Sequence, residues 1–276
     1  MPTGQPRNEV FAANRATGRI ALSAAAGLNR SRRTRVYESG SLRVRFPHRD
    51  GGVLDAVIVN TAGGMTGGDR FDLDIDVAAG AQLTVTTAAA EKIYRSLGPD
   101  TELRINLTVG AGGKLAWLPQ ETILFDRSRL RRRIDADLAA DASLLMAEAS
   151  IFGRSAMGES VVSGGFFDQW RLRVGGALVF ADAIRLEGGI AQSLAERPVA
   201  AGGVAVASVV KIPGGEEAVA AVRARQPDFI GEVGVSAWNG VLAARCVAAD
   251  GAALRHDLSR LLLAIGSGPL PRLWLN

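Results

Sequence analysis

The sequence predicts a mostly β protein: a single β-rich domain over 17–276, with a few helices gathered near the C-terminus, behind a loose N-terminal tail at 1–16. Three observations predict it. Glycine supplies 33 of 276 residues and aromatics only 5%, a balance that suits many tight turns better than a helical bundle. Short runs alternate apolar and polar residues with period two, as strands with one buried face do. From about residue 18 to 186 these runs follow one another with no helical pattern between them, which argues against a doubly wound parallel sheet.

The elements follow in order. Residues 1–16 are rich in Pro, Asn, Arg and Thr. Ile20–Leu28 is apolar and reads as an early strand. A signal h-region fits it poorly, because an acidic residue, Glu9, precedes it and Arg30–Arg35 follow closely. Leu42–Phe46, Phe71–Val77 and Leu103–Val109 alternate cleanly. In the second of these, Phe71, Leu73, Ile75 and Val77 oppose Asp72, Asp74 and Asp76. Leu172–Val174 and Leu178–Phe180 flank Gly175-Gly176, a hairpin signal. Val53–Val59 and Val204–Val210 are nearly continuous apolar runs, suited to strands buried on both faces. Glu216–Arg225 places acids first and arginines last, as the helix dipole favours, with Pro227 as a stop. From Asp250 to Ile265 a stripe of Leu254, Leu258, Leu261, Leu262 and Ile265 predicts a second helix, ended by Gly266 and Pro269.

Composition excludes several function classes. Hydrophobic residues at 47% and charged residues at 22% are globular values. The formal charge is +4, and two arginine clusters carry much of the basicity: Arg30, Arg32, Arg33, Arg35, and Arg127, Arg129, Arg131, Arg132, Arg133. No aromatic stacking pattern is interleaved with them, so a solvated strand face or an interface for an acidic partner is expected rather than a nucleic-acid face. The single Cys246 rules out an internal disulfide and fits a reducing compartment, with the cytoplasm as the default. No apolar run approaches a membrane span.

The search for chemistry finds no catalytic constellation, so no enzyme is expected. His48, His256 and Cys246 sit at no metal-ligand spacing. Gly153-Arg154-Ser155-Ala156-Met157 begins like a nucleophile elbow but has Met157 where the second glycine belongs. The glycine loop Ala62–Asp69 has the glycine spacing of a phosphate loop, yet Asp69-Arg70 stands where Lys-Ser/Thr is required and a strand pattern follows in place of a helix. A small-molecule enzyme binding a phosphorylated ligand at this loop is therefore only the alternative reading. Three further segments stand out: Thr84–Ser96, which carries Thr86 and Thr87; Trp117–Asp126, which carries Glu121 and Asp126; and Glu148–Glu159.

Taken in order and spacing, these segments resemble the urease accessory protein family UreD, also called UreH. The matching pieces are Gly-Gly-x-x-Gly-Gly-Asp at 63–69, the Thr-Thr-x-Ala-Ala-x-Lys-x-Tyr-Arg-like run from Thr86 to Arg95, Leu-Pro-Gln-Glu-Thr-Ile-Leu-Phe at 118–125 and Gly-Arg-x-Ala-x-Gly-Glu at 153–159. Pro271-Arg272-Leu273-Trp274 matches the family's ending. Ala88 and Arg45 stand where the family commonly has glutamine.

The resemblance implies β-helix-like layered sheets with a few helices. It implies a scaffold that binds apo-urease with UreF and the GTPase UreG and supports nickel delivery, with nickel passing in transit and none held tightly. Rapidly exchanging oxygen donors suit transit better than thiolates. On that basis Asp69, Asp126 and Glu159, with Glu121, Glu148 and the hydroxyls of Thr86 and Thr87, are expected to line an internal polar path or to brace it. Arg131, Arg132 and Arg133 are expected to form a docking surface for an acidic partner.

Overall fold

The computed structural model describes residues 15–48, 51–154, 157–266 and 268–275. Most of the tail expected at 1–16 lies outside the described residues. The strands are β1 Thr17–Ala25, β2 Arg32–Gly40, β3 Leu42–Arg45, β4 Leu54–Asn60, β5 Arg70–Val77, β6 Gln82–Thr87, β7 Glu91–Ile93, β8 Thr101–Val109, β9 Lys114–Trp117, β10 Thr122–Leu124, β11 Arg129–Leu138, β12 Ser143–Phe152, β13 Gly164–Val174, β14 Ala177–Gly188, β15 Ala205–Ile212, β16 Glu232–Trp238 and β17 Val241–Ala248. Helices are α1 Ile190–Ala195, α2 Glu216–Arg223 and α3 Gly251–Ile265.

From β4 to β13 the chain passes back and forth between two sheets, so that each round trip adds one strand to each. The first sheet runs β2-β1-β5-β8-β11-β13-β14, and the second runs β3-β4-β6-β9-β12-β15-β17-β16. The coiled part is parallel, β5 with β8 and β11 with β13 in one sheet, β6 with β9 and β9 with β12 in the other. Antiparallel pairs close the ends: β1 with β2, β13 with β14, β12 with β15. This is the layered, solenoid-like arrangement that the resemblance implies.

The period-two runs become straight internal rows. Ile20, Leu73, Ile105, Ile134 and Trp170 lie in register across the first sheet, and Leu22, Ile75, Leu107, Ala136 and Leu172 form the next row. Leu83, Leu115 and Leu144 face them from the second sheet. Each leucine or isoleucine in these rows contributes roughly 1.5–3 kcal/mol by leaving water.

A second core lies on the other side of the second sheet. There Leu254, Leu258, Leu261 and Leu262 of α3 cover Ala207, Val209 and Ala244. Helix α3 begins where expected because the Asp250 side chain accepts from the Ala253 N–H at 2.9 Å.

These two cores explain the near-continuous run of β15, whose Val210 faces one core and Val209 the other. They also correct the reading of 53–59. In β4 only Ala56 and Ile58 are buried, since the helices cover the β15–β17 end of the sheet and leave the β4 end open. Helix α1 has no counterpart among the elements read from sequence: at six residues it is too short to show a period.

The connections on the two sides of the coil differ sharply. Passages from the first sheet to the second take four residues each, 78–81, 110–113 and 139–142. Passages from the second sheet to the first are long: 61–69, 88–100, 118–128 and 153–163. The four internal segments that carry the family resemblance lie in or overlap these four long turns.

Candidate functional site

The long turns stack on one another as a third, smaller face of the coil. The Met65 N–H donates to the Lys92 carbonyl at 2.7 Å, and the Tyr94 N–H returns to the Met65 carbonyl at 2.7 Å. β7 pairs with β10, and β10 with the end of β12. The Arg127 N–H reaches the Ser163 carbonyl at 2.8 Å. Side chains add to the ladder: the Tyr94 hydroxyl donates to the Gly63 carbonyl at 3.1 Å, and its ring meets Phe125 edge-on at 5.0 Å. Glycine is required where backbone approaches backbone, between turns at Gly64 and within one turn at Gly153. Gly64 has φ +151°, and a Cβ there would lie 2.9 Å from the Lys92 carbonyl oxygen; at Gly153, with φ +92°, a Cβ would lie 2.3 Å from that of Glu159.

The carboxylates singled out in the sequence mostly brace this stack. Asp69 is buried and accepts from two backbone N–H groups, Ala16 at 2.8 Å and Thr66 at 2.8 Å, so it ties the glycine loop to the start of β1. Strand β5 follows the loop directly. Asp126 accepts from the Ser163 N–H at 3.1 Å, and Glu159 accepts from Arg154 at 2.6 Å and from the Asp126 N–H at 3.4 Å. Glu121 is buried against Arg255 of α3 at 2.7 Å. That same arginine lies over the Trp274 ring, whose indole N–H donates to the Leu118 carbonyl at 3.0 Å. The third and fifth motif segments are thus fastened together. Thr87 accepts from the Gln120 N–H at 2.8 Å and donates to the Ala89 carbonyl at 3.0 Å. The Thr86 hydroxyl is buried without a hydrogen-bond partner and borders a cleft of about 520 Å³ beneath Pro269–Leu273.

Behind the turns, between the two sheets, lies a buried ionic cluster. Arg132 of β11 donates to both Asp168 oxygens, through Nε at 3.0 Å and Nη2 at 2.5 Å, and its Nη1 donates to Glu148 of β12 and to the Thr122 hydroxyl, the latter at 3.3 Å. Two tryptophans complete the shell. Trp117 Nε1 donates to Glu148 at 2.8 Å and Trp170 Nε1 to Asp168 at 3.0 Å. Arg132, Glu148 and Asp168 are each 5% exposed or less. One guanidinium faces two carboxylates. Burial disfavours the Arg132 charge, but the two carboxylates outweigh it and leave the group more basic than usual. Burial, with the neighbouring Asp168 charge added, pushes the Glu148 carboxyl above the usual range against the pull of Arg132.

This placement corrects the expected docking surface. Arg132 points inward and offers no charge to a partner, because residues of β11 alternate and the even-numbered ones face the core. Arg131 and Arg133 are exposed but paired, with Asp100 and Asp135. The sequence reading missed Asp168, Trp117, Trp170 and Thr122 as members of the cluster. A signal was present: Arg132 interrupts the inward series Leu130, Ile134, Ala136, Leu138, and Asp168 interrupts Phe166, Trp170, Leu172.

Among the described residues no group of three or more His, Cys, Asp and Glu side chains is placed to hold a metal ion. The oxygens of Glu148 and Asp168 are taken up by Arg132 and the tryptophans. Cys246 is buried and its thiol is pushed up to about 12, chiefly by burial, which makes it an inert core residue at neutral pH. No described helix is long and apolar enough to cross a membrane.

Comparison with known proteins agrees with the motif order. The family model described as UreD urease accessory protein matches residues 16–275. A urease accessory protein UreD of Rhodopseudomonas palustris strain HaA2 is 54% identical over 274 residues, covering 99% of this chain and 98% of its own. The corresponding protein of Bradyrhizobium diazoefficiens is 52% identical over 269 residues, covering 98% and 97%. UreD 1 of Bradyrhizobium sp. strain ORS 278 is 47% identical over 268 residues, covering 97% and 96%. With the match running from the start of β1 to beyond the last motif, the chain belongs to the UreD family of urease accessory proteins.

Proposed function

We propose that this chain is the scaffold that binds apo-urease together with UreF and UreG in the cytoplasm and supports delivery of nickel into the urease active site. The observation that carries the reading is the family match over residues 16–275, in which four motif segments become one stack of long turns. Asp69, Asp126, Glu121 and Glu159 hold that stack in shape, so that it presents a fixed surface to partners. Nickel is cargo in this scheme, passing weak oxygen donors such as the Thr86 hydroxyl, and no nickel is retained. An enzyme acting on a phosphorylated ligand at the glycine loop is disfavoured by the buried Asp69 carboxylate and by the strand that follows it.

Co-expression with UreF, UreG and apo-urease tests the proposal. The expected result is an intact complex on purification and nickel-loaded urease only when this chain is present. Urease that reaches full nickel content without it overturns the role. Asp69→Ala and Glu159→Ala are expected to weaken assembly and urease activation together. Full activation by both variants would remove these two carboxylates from the working parts.

A further inference from the structure

Strand β2 is the free edge of the first sheet. Its backbone pairs with β1 on one side, and among the described residues the other side has no strand partner. Arg32, Arg33 and Arg35 are exposed along it, and Arg30 precedes it. None of these four makes an ion pair among the described residues. The carboxylates nearby are already committed. Asp74, which feels the Arg35 charge only weakly, is held by Arg19 at 2.9 Å and Asn106 at 2.8 Å, and Glu38 accepts from the Val44 N–H and from Arg45. Arg33 lies over the Phe46 ring at 4.7 Å, beside a cleft of about 420 Å³ that also includes Asp55. A bulge at Ser23/Ala24 turns Thr34 out of register and fastens its hydroxyl to the Ser23 carbonyl at 3.2 Å, a device that re-aims neighbouring side chains at sheet edges. Two apolar residues, Val36 and Tyr37, stand exposed in the same strand at 41% and 48%.

We propose that β2 is a strand-addition site for an extended acidic segment of a partner protein. Three features fit one occupant. The unpaired backbone supplies hydrogen bonds of the kind that bind an added strand, the exposed arginines select carboxylates, and Val36 and Tyr37, adjacent and so on opposite faces, offer one apolar contact on each face. A nucleic acid would use the charges but not the backbone edge. The competing reading is that the arginines only keep the edge from pairing with copies of itself. The site lies in a part of the chain separate from the long turns, and the inference goes beyond the urease role.

Fluorescence anisotropy with the full chain tests it in the absence of urease. The probe is a labelled peptide of alternating Glu and Val; a matched peptide with Pro at every third position cannot pair as a strand. The acidic strand peptide is expected to bind, to weaken on added salt, and to lose about tenfold in affinity with Arg32→Glu, Arg33→Glu and Arg35→Glu combined. Arg131→Glu with Arg133→Glu, two reversals on β11 against three on β2, is expected to leave binding unchanged. The single variant Arg35→Gln, with a milder loss, keeps the test valid if the triple variant unfolds. Absence of binding, equal loss with the β11 variant, equal affinity for the proline peptide, or tighter binding of a single-stranded oligonucleotide of the same charge each overturns the proposal.

Discussion

Two strands of the first sheet are rich in arginine, and their arginines end in opposite states. β11 lies between β8 and β13, and its charges are matched from several sides: Arg129 and Arg131 by Asp100, Arg133 by Asp135, and Arg132 by Glu148 and Asp168. Among the described residues β2 pairs with one strand, β1, which sets Ser23, Ala24 and Ala25 opposite Arg35, Arg33 and Arg32 and supplies no carboxylate. The same residue type is structural in one strand and uncommitted in the other. Position in the sheet decides it, since a central strand receives partners from both flanks and from the facing sheet, and an edge strand does not.

The contrast between the two strands is largest at Arg132. Arg132→Met leaves Glu148 and Asp168 buried without their cation, and removing one partner of a buried pair costs about 3–5 kcal/mol. Denaturant unfolding of the variant should show a loss of that size. Replacing all three, with Glu148→Gln and Asp168→Asn added, should recover most of it, because no buried charge then remains. A single-variant loss below about 1 kcal/mol would place the cluster with ordinary surface pairs and erase the contrast with β2.

A smaller effect follows from the raised Glu148 carboxyl. The folded chain holds this proton to higher pH than the unfolded chain does, so this group's contribution to stability is fully present below the ordinary glutamate value of about 4.3. It falls as pH rises through the window between that value and the raised native one. Glu148→Gln removes the titration, and its stability should be flatter than that of the parent chain over that window. A parent and variant with parallel pH profiles would show that Glu148 titrates normally.

How far the residues alone disclose this arrangement differs along the same lines. Period-two alternation makes the rows of Phe71–Val77 and Leu103–Val109 visible, and the leucine stripe with its Asp250 cap makes α3 visible, because each is a local pattern. The coil is not local. Nothing within β5 or β8 says that they lie side by side and parallel; the layered sheets follow only from the family resemblance, and the stacking of the four long turns has no signal in the segments themselves. Asp69 reads as a turn residue and is one, but its bond to the Ala16 N–H spans more than fifty positions. Arg132 was grouped with its charged neighbours because a run of arginines looks like surface. The alternation of β11 places it inside, and the meaning of that place depends on Glu148 and Asp168 arriving from two other strands.

The smallest expected effects concern the exposed arginines, and they have opposite signs on the two strands. Arg133→Ala gives up a pair with Asp135 on the same face of β11, and Arg131→Ala gives up one of two arginines that share Asp100. Each should cost no more than about 0.5–1 kcal/mol, the range of exposed pairs. At the β2 edge, Arg30→Ala or Arg32→Ala removes one of several like charges that make no ion pair among the described residues. Repulsion along the strand then falls, so stability should be unchanged or slightly higher at low salt, and the difference should vanish when added salt shortens the screening length. Thermal unfolding at two ionic strengths separates the cases. If the β2 variants lose stability as the β11 variants do, β2 has internal partners after all, and its arginines are structural in both places.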